Sequence, residues 1–127
     1  MADPIHLANS LEKWTSQDLS RDELITLFQT ARPRASFADG FSCDCARNEF
    51  IRWWEMGATL SAAEALVPEG WGWTWDSTLK VAHVSHYDET GWHVWQDTRS
   101  GKTQFPAMAI VAACLRVRAA QGEALDA

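Results

Sequence analysis

The strongest constraint in this sequence is a change of hydrophobic period at Gly70. Directly after it, Trp71, Trp73 and Trp75 alternate with small or polar residues. Because successive side chains of a β-strand point to opposite faces, this alternation predicts a strand that carries all three indoles on one face. Upstream of Gly70 the apolar residues recur at helical spacing instead. The chain is therefore expected to join helices to a sheet.

Two further strands are predicted after this one. Residues 79–87 alternate in the same way, residues 88–91 form a hairpin turn, residues 92–97 form the third strand, and residues 98–101 turn again. Antiparallel strands can be joined by turns this short, whereas parallel strands need a long crossover. The three strands are therefore expected to form an antiparallel meander.

The remaining segments carry apolar residues at the 3.6-residue period of helices. Ser20 and Glu23 form a capping-box pattern, in which each side chain bonds the backbone N–H of the other residue, and Ser61 and Glu64 repeat it. Gly57 is expected just beyond the end of a helix. Helices are predicted over residues 4–14, from Ser20 to Pro33, from the N-cap Asp44 to Met56, from Ser61 to Leu66, and from Pro106 to Ala120.

The predicted fold class is α+β, with N-terminal helices, a three-stranded antiparallel β-meander and a C-terminal helix packed on the sheet. A chain of 127 residues is one domain by its length. It divides into a helical part at 1–58, an α-β-β-β-α unit at 59–120 and a frayed tail at 121–127. The last helix is expected to cover one face of the sheet. The face that carries the tryptophans is left for the N-terminal helices or a partner.

Charge and composition exclude several classes of protein. The chain has 17 acidic and 11 basic residues, a net charge of −6, so direct binding of nucleic acid is not expected. The N-terminus lacks the pattern of a signal peptide, and the apolar run at 105–115 is too short to cross a membrane. Three cysteines without framework spacing argue against a secreted disulfide scaffold. The predicted location is the cytoplasm of a host cell.

Cys43 and Cys45 form the fragment with the most metal-like chemistry, and His83, His86 or His93 could complete a zinc site. Zinc sites favour two to four residues between paired cysteines, and His83 and His86 would point to opposite faces of a strand. A nucleophilic Cys45 near a helix start would need an oxyanion motif, which the sequence lacks. We therefore expect no metal, no cofactor and no catalytic residues.

Several segments resemble small phage and prophage proteins. Residues 59–65 (TLSAAEA) and 66–71 (LVPEGW) precede the predicted strands, and residues 105–116 (FPAMAIVAACLR) follow them. Together with the opening at residues 3–18, they are similar to relatives of the phage α–β–α sandwich domain family. The resemblance implies an origin in a mobile element and carries over no catalytic set. Residues 30–58 depart from the family pattern.

The departing segment contains the predicted partner-binding residues. Trp53 and Trp54 are about 100° apart on a helix and cannot both face fully inward. Arg47 and Arg52 lie on the same helix, and interface hot spots are enriched in Trp and Arg. Trp92, at the predicted hairpin, is a further candidate for an exposed anchor. The alternative is that both indoles on the helix belong to the core.

The sequence therefore predicts a non-catalytic phage or mobile-element accessory protein that binds and inhibits a host protein. A component of CRISPR immunity, which would make the chain an anti-CRISPR protein, or of another anti-phage defence is the candidate target. The alternatives are a structural or assembly accessory protein of a phage and a small metal-dependent enzyme. The oligomeric state is left open, with a homodimer among the options.

Overall fold

The structure is a computed structural model that describes residues 3–32, 40–68, 70–87 and 94–126. Within these described ranges, five helices and three strands follow in an order that confirms the α+β prediction. The elements are α1 (Pro4–Glu12), α2 (Arg21–Ala31), α3 (Gly40–Glu55), α4 (Thr59–Glu64), β1 (Trp71–Asp76), β2 (Val81–Tyr87), β3 (Val94–Arg99) and α5 (Pro106–Asp126). The predicted hairpin turn at residues 88–91 lies outside the described residues.

One of the two predicted capping boxes is present. The Ser20 hydroxyl accepts the Glu23 N–H at 3.2 Å, and Glu23 Oε1 accepts the Ser20 N–H at 2.9 Å, so α2 begins as predicted. The second box is wrong because Ser61 lies inside α4, which has Ala58 as its N-cap and no side-chain cap. Only Ala58 therefore separates Gly57 from the first residue of α4, Thr59.

Helix α3 begins at Gly40, four residues before the predicted N-cap Asp44. The earlier start brings Cys43 into the helix, where it is buried in the core. The end of α3 is as expected, with Gly57 at a φ of 88°. The Gly57 N–H donates to the Trp54 carbonyl at 3.1 Å and the Ala58 N–H to the Trp53 carbonyl at 2.9 Å, which is the Schellman pattern.

The sheet is an antiparallel meander in the order β1-β2-β3, as predicted. Strand β2 begins at Val81 rather than Leu79, because Asp76 Oδ1 accepts the N–H groups of Thr78 and Leu79 and closes a turn there. Strand β3 runs over Val94–Arg99, so it ends two residues after the predicted range 92–97, and the predicted turn at 98–101 is wrong for its first two residues.

The tryptophans of β1 and helix α5 lie on the same face of the sheet. Trp75 is paired with Ala82 and Trp73 with Val84 across the two strands, and directly opposed residues share a face. Ala82 and Val84 belong to the core that α5 fills, and the indoles pack partly buried against it. The expectation that α5 leaves the tryptophan face to other elements is therefore wrong.

Helix α5 is the centre of the core. Every residue from Ala107 to Leu115 is buried, and α1, α2, α4 and all three strands contact the helix. It continues to Asp126, where the sequence predicts an end near Ala120 and a frayed tail. Among the described helices, none combines the length and apolar character needed to cross a bilayer.

A largely buried ion pair joins the two ends of the chain. Arg116 on α5 bonds the Glu12 carboxylate on α1, and its Nη2 also donates to Asn9 Oδ1 at 2.8 Å. The Gly101 N–H donates to Glu12 Oε1 at 2.8 Å. The Glu12 carboxylate therefore ties α1 to α5 and to the segment that connects β3 with α5.

Replacing Leu115 with alanine tests the placement of α5. Leu115 is fully buried, so Leu115→Ala should lower the free energy of unfolding by about 2–5 kcal/mol. Leu79→Ala is the matched control, because that side chain is 53% exposed. Urea titration followed by circular dichroism gives both values. A loss for Leu115→Ala no larger than that of the control would contradict the placement.

Gly101→Ala tests the carboxylate junction. A Cβ at residue 101 would overlap the Glu12 carboxylate, so the N–H bond to it should be lost at a cost of about 1–3 kcal/mol. In a Glu12→Ala background the same substitution should cost clearly less, because the carboxylate is gone. Thermal unfolding of the four proteins measures this coupling, and equal costs in both backgrounds would refute it.

Candidate functional site

A groove of about 370 Å³ lies between α2 and α3. Helix α2 contributes Arg21 and Ile25, and helix α3 contributes Arg47, Asn48, Ile51, Arg52 and Glu55. These described lining residues include three arginines and one glutamate, in a chain whose net charge is −6. The groove, called the arginine groove below, is therefore a local concentration of positive charge on an acidic protein.

Helical spacing explains why these side chains meet. On α3, residues 47, 51 and 55 are four apart and share one face, which residues 48 and 52 widen. Ile51 is itself buried, and Phe50 and Trp54 are buried beside it, with Phe50 packing between Phe28 of α2 and Trp54 at ring-centroid distances of 5.7 and 5.9 Å. This aromatic contact packs α2 on α3 and so positions the two walls of the groove.

The three guanidinium groups differ in their surroundings. Arg21 Nη2 donates to Glu55 Oε1 at 2.7 Å, and this hydrogen bond and the charge of Glu55 raise the pKa of Arg21 above its ordinary value. Arg47 Nη1 lies 3.9 Å from Asp44 Oδ1, and the Arg47 Nε is buried without a hydrogen-bond partner among the described residues. Arg52 is exposed to solvent. The groove thus offers hydrogen-bond donors that its own acids do not saturate.

The structure brings together two of the residues predicted to bind a partner and adds one that was missed. Arg47 and Arg52 line the same groove, as their shared helix suggested. Arg21 is 34 residues from its partner Glu55 in the sequence, and only the packing of α2 on α3 brings it there. The sequence around Arg21 predicts the first turn of a helix, and it contains no pattern that indicates a binding residue.

The tryptophans on α3 are not part of the arginine groove. Trp54 is 4% exposed and its indole N–H donates to the Gln17 carbonyl at 2.8 Å, so it is a core residue and is withdrawn from the predicted partner-binding set. Trp53 is partly buried against the core and points about 200° away from Ile51 and Glu55. Trp92 lies outside the described residues, and its role stays a prediction.

A second, more apolar cavity of about 230 Å³ lies on the other side of α2, against α1. Its walls are mainly leucine and tryptophan side chains, with Asp22 and Glu23 at the edge. Glu23 is already used in the capping box of α2. The charged residues that line this cavity are both acidic, whereas the arginine groove carries three arginines, which favour an anionic ligand.

The residue types that suggested metal binding or nucleophilic chemistry do not converge in the described part of the chain. Cys43 is buried and Cys45 exposed, because residues two apart on a helix point in different directions. No group of three or more His, Cys, Asp or Glu side chains among the described residues could hold a metal ion. Cys45 is the sixth residue of α3 and not a residue at the helix start, which removes the reason to expect a nucleophilic role for it.

Cys114 is protected by the core. Burial raises the pKa of its thiol to about 12, so the group stays protonated and unreactive at neutral pH.

Comparison of the chain with protein-family models, with curated proteins and with solved structures gives no match. The resemblance to phage proteins therefore stays a prediction from the residues.

Thiol labelling tests this assignment of the cysteines. With a chromogenic disulfide reagent at pH 8, Cys45 should react first because it is exposed, while Cys114 should react only after denaturant unfolds the chain. In Cys45→Ser the fast phase should disappear. A fast phase that persists in this variant would show that one of the two buried thiols is accessible in the folded protein.

Proposed function

We propose that this chain is a non-catalytic accessory protein of a phage or other mobile element, which binds a host protein and inhibits it. The observation that carries the proposal is the arginine groove, with Arg21, Arg47 and Arg52 along an otherwise acidic protein. Arginine is enriched at interface hot spots, because its fork of donors gives directed bonds and its stem packs on apolar surface.

The shape of the groove supports binding to a protein. Ile25 lines it together with the arginines and is only partly buried, so an occupant can cover its apolar surface while the guanidinium groups pair with the occupant's charges. Protein interfaces combine these two features, with an apolar centre and a polar rim. A negatively charged region of the host protein would complement the groove and fix the orientation of the complex.

The candidate target comes from the phage-like segments of the sequence. Inhibitors carried by mobile elements act on host defences, so a CRISPR effector component or another anti-phage defence protein in the host cytoplasm is the proposed partner. The net charge of −6 disfavours direct contact with nucleic acid. Inhibition is therefore proposed to come from occupying a surface of the defence protein.

Affinity capture followed by an inhibition assay tests this function. The wild type should retain a host protein and inhibit it when both are purified, whereas Arg47→Ala/Arg52→Ala should lose about 2 kcal/mol or more of binding free energy if these residues are hot spots. The control is Arg99→Ala/Lys102→Ala, which removes the same charge from exposed residues outside the groove. Thermal unfolding checks that all variants fold.

Three results would contradict the proposal. The groove variant and the control could bind equally well, which would place the interface elsewhere. The captured host protein could keep full activity in the complex, which would exclude inhibition. Capture of phage virion proteins instead of a host protein would favour the alternative, a structural or assembly accessory protein.

A further inference from the structure

Glu55 already places a carboxylate in the arginine groove. It is the one acid among the described lining residues, and its Oε1 accepts from Arg21 Nη2 at 2.7 Å across the two helices. The pair joins residues 34 apart in sequence, so it results from the packing of α2 on α3. The Glu55 carboxylate thus shows that a guanidinium group of this groove can bind a carboxylate.

We propose that the arginine groove binds an acidic, carboxylate-bearing segment of a partner protein, and that Glu55 is an internal competitor for Arg21. In the free protein Glu55 occupies this guanidinium group, and in the complex a carboxylate of the partner replaces it. The inference rests on the proposed function, because it names the partner chemistry and the regulation of the same groove.

The Arg21–Glu55 pair is suited to exchange. The Arg21 side chain is 67% exposed and that of Glu55 41% exposed, and ion pairs between such exposed groups contribute little to stability because water screens them. A carboxylate from a partner would be shielded from water by the partner itself, which strengthens the new pair. The Arg21–Glu55 pair can therefore be opened at little cost to the free protein.

Arg47 provides a second attachment point. Its Nε is buried without a partner among the described residues, and a buried donor without an acceptor is costly. A guanidinium group binds a carboxylate best through two parallel N–H bonds, for which the Nε and one Nη nitrogen are suited. Arg47 and Arg21 line the same groove and give it two guanidinium groups, so we expect a segment with two acidic side chains to fit it.

The same features favour a polypeptide over a nucleic acid. The groove volume of about 370 Å³ accommodates a few side chains rather than a length of phosphate backbone. Ile25, which is only partly buried, can contact an apolar side chain that alternates with acids in a peptide. Glu55 and the net charge of −6 would repel a continuous run of phosphates.

Fluorescence anisotropy with a labelled peptide of alternating glutamate and leucine tests the inference on the full chain. Glu55→Gln should bind this peptide about threefold to tenfold more tightly than wild type, because Arg21 is released. Glu64→Gln is the matched control, since it removes the same charge from an exposed residue of α4 outside the groove. Equal tightening in both variants would overturn the competitor role.

Two further comparisons identify the interacting groups. In an Arg21→Gln background, Glu55→Gln should no longer tighten binding, because the competitor acts through that guanidinium group. Arg47→Gln/Arg52→Gln should weaken binding about tenfold or more, and a peptide with glutamine in place of glutamate should bind no variant well. If a single-stranded oligonucleotide competes as effectively as unlabelled peptide, the assignment to an acidic polypeptide is overturned.

The outcome is separable from that of the proposed function. The peptide assay uses only purified chain, so it gives a result whether or not a host target exists. Host capture and inhibition without peptide binding would overturn this inference and leave the proposed function standing. Peptide binding with the expected variant effects, but without capture of a host protein, would overturn the proposed function and leave the chemistry of the groove standing.

Discussion

The burial of helix α5 is the constraint on which the rest of the structure depends. From Ala107 to Leu115 it has no solvent-facing side, so the sheet must cover one part of it and the helices α1, α2 and α4 the others. Four alanines within that stretch let neighbouring elements approach closely. The removal of this apolar surface from water is the main stabilising contribution to the fold.

Helix α3 occupies a different position, because it packs mainly on α2 and α4 rather than on α5. It buries one stripe, which includes Phe50 and Trp54, and leaves another facing outward. The arginine groove is formed where that outward stripe meets α2. The region proposed to bind a partner is therefore at the periphery of the core, where polar side chains can be exchanged at little cost to the fold.

The charges of the protein are arranged in two ways that depend on burial. The Arg116–Glu12 pair is largely buried and supplemented by hydrogen bonds from Gly101 and to Asn9, so it acts as a structural junction. The Arg21–Glu55 pair is exposed, and water screens it. The same pair of residue types is thus buried and structural in one place, and exposed and weakly stabilising in the other.

The sequence by itself determined the local structure: the period change at Gly70, the capping box of α2 and the turn at Gly57 all follow from contacts within a few residues. It also placed Arg47 and Arg52 on the same helix. Only the tertiary structure decided that α5 covers the tryptophan face, that Trp54 is core, and that Arg21 meets Glu55. These outcomes depend on contacts between residues far apart in sequence, which no local period or cap encodes, because burial is settled by the whole set of packed elements.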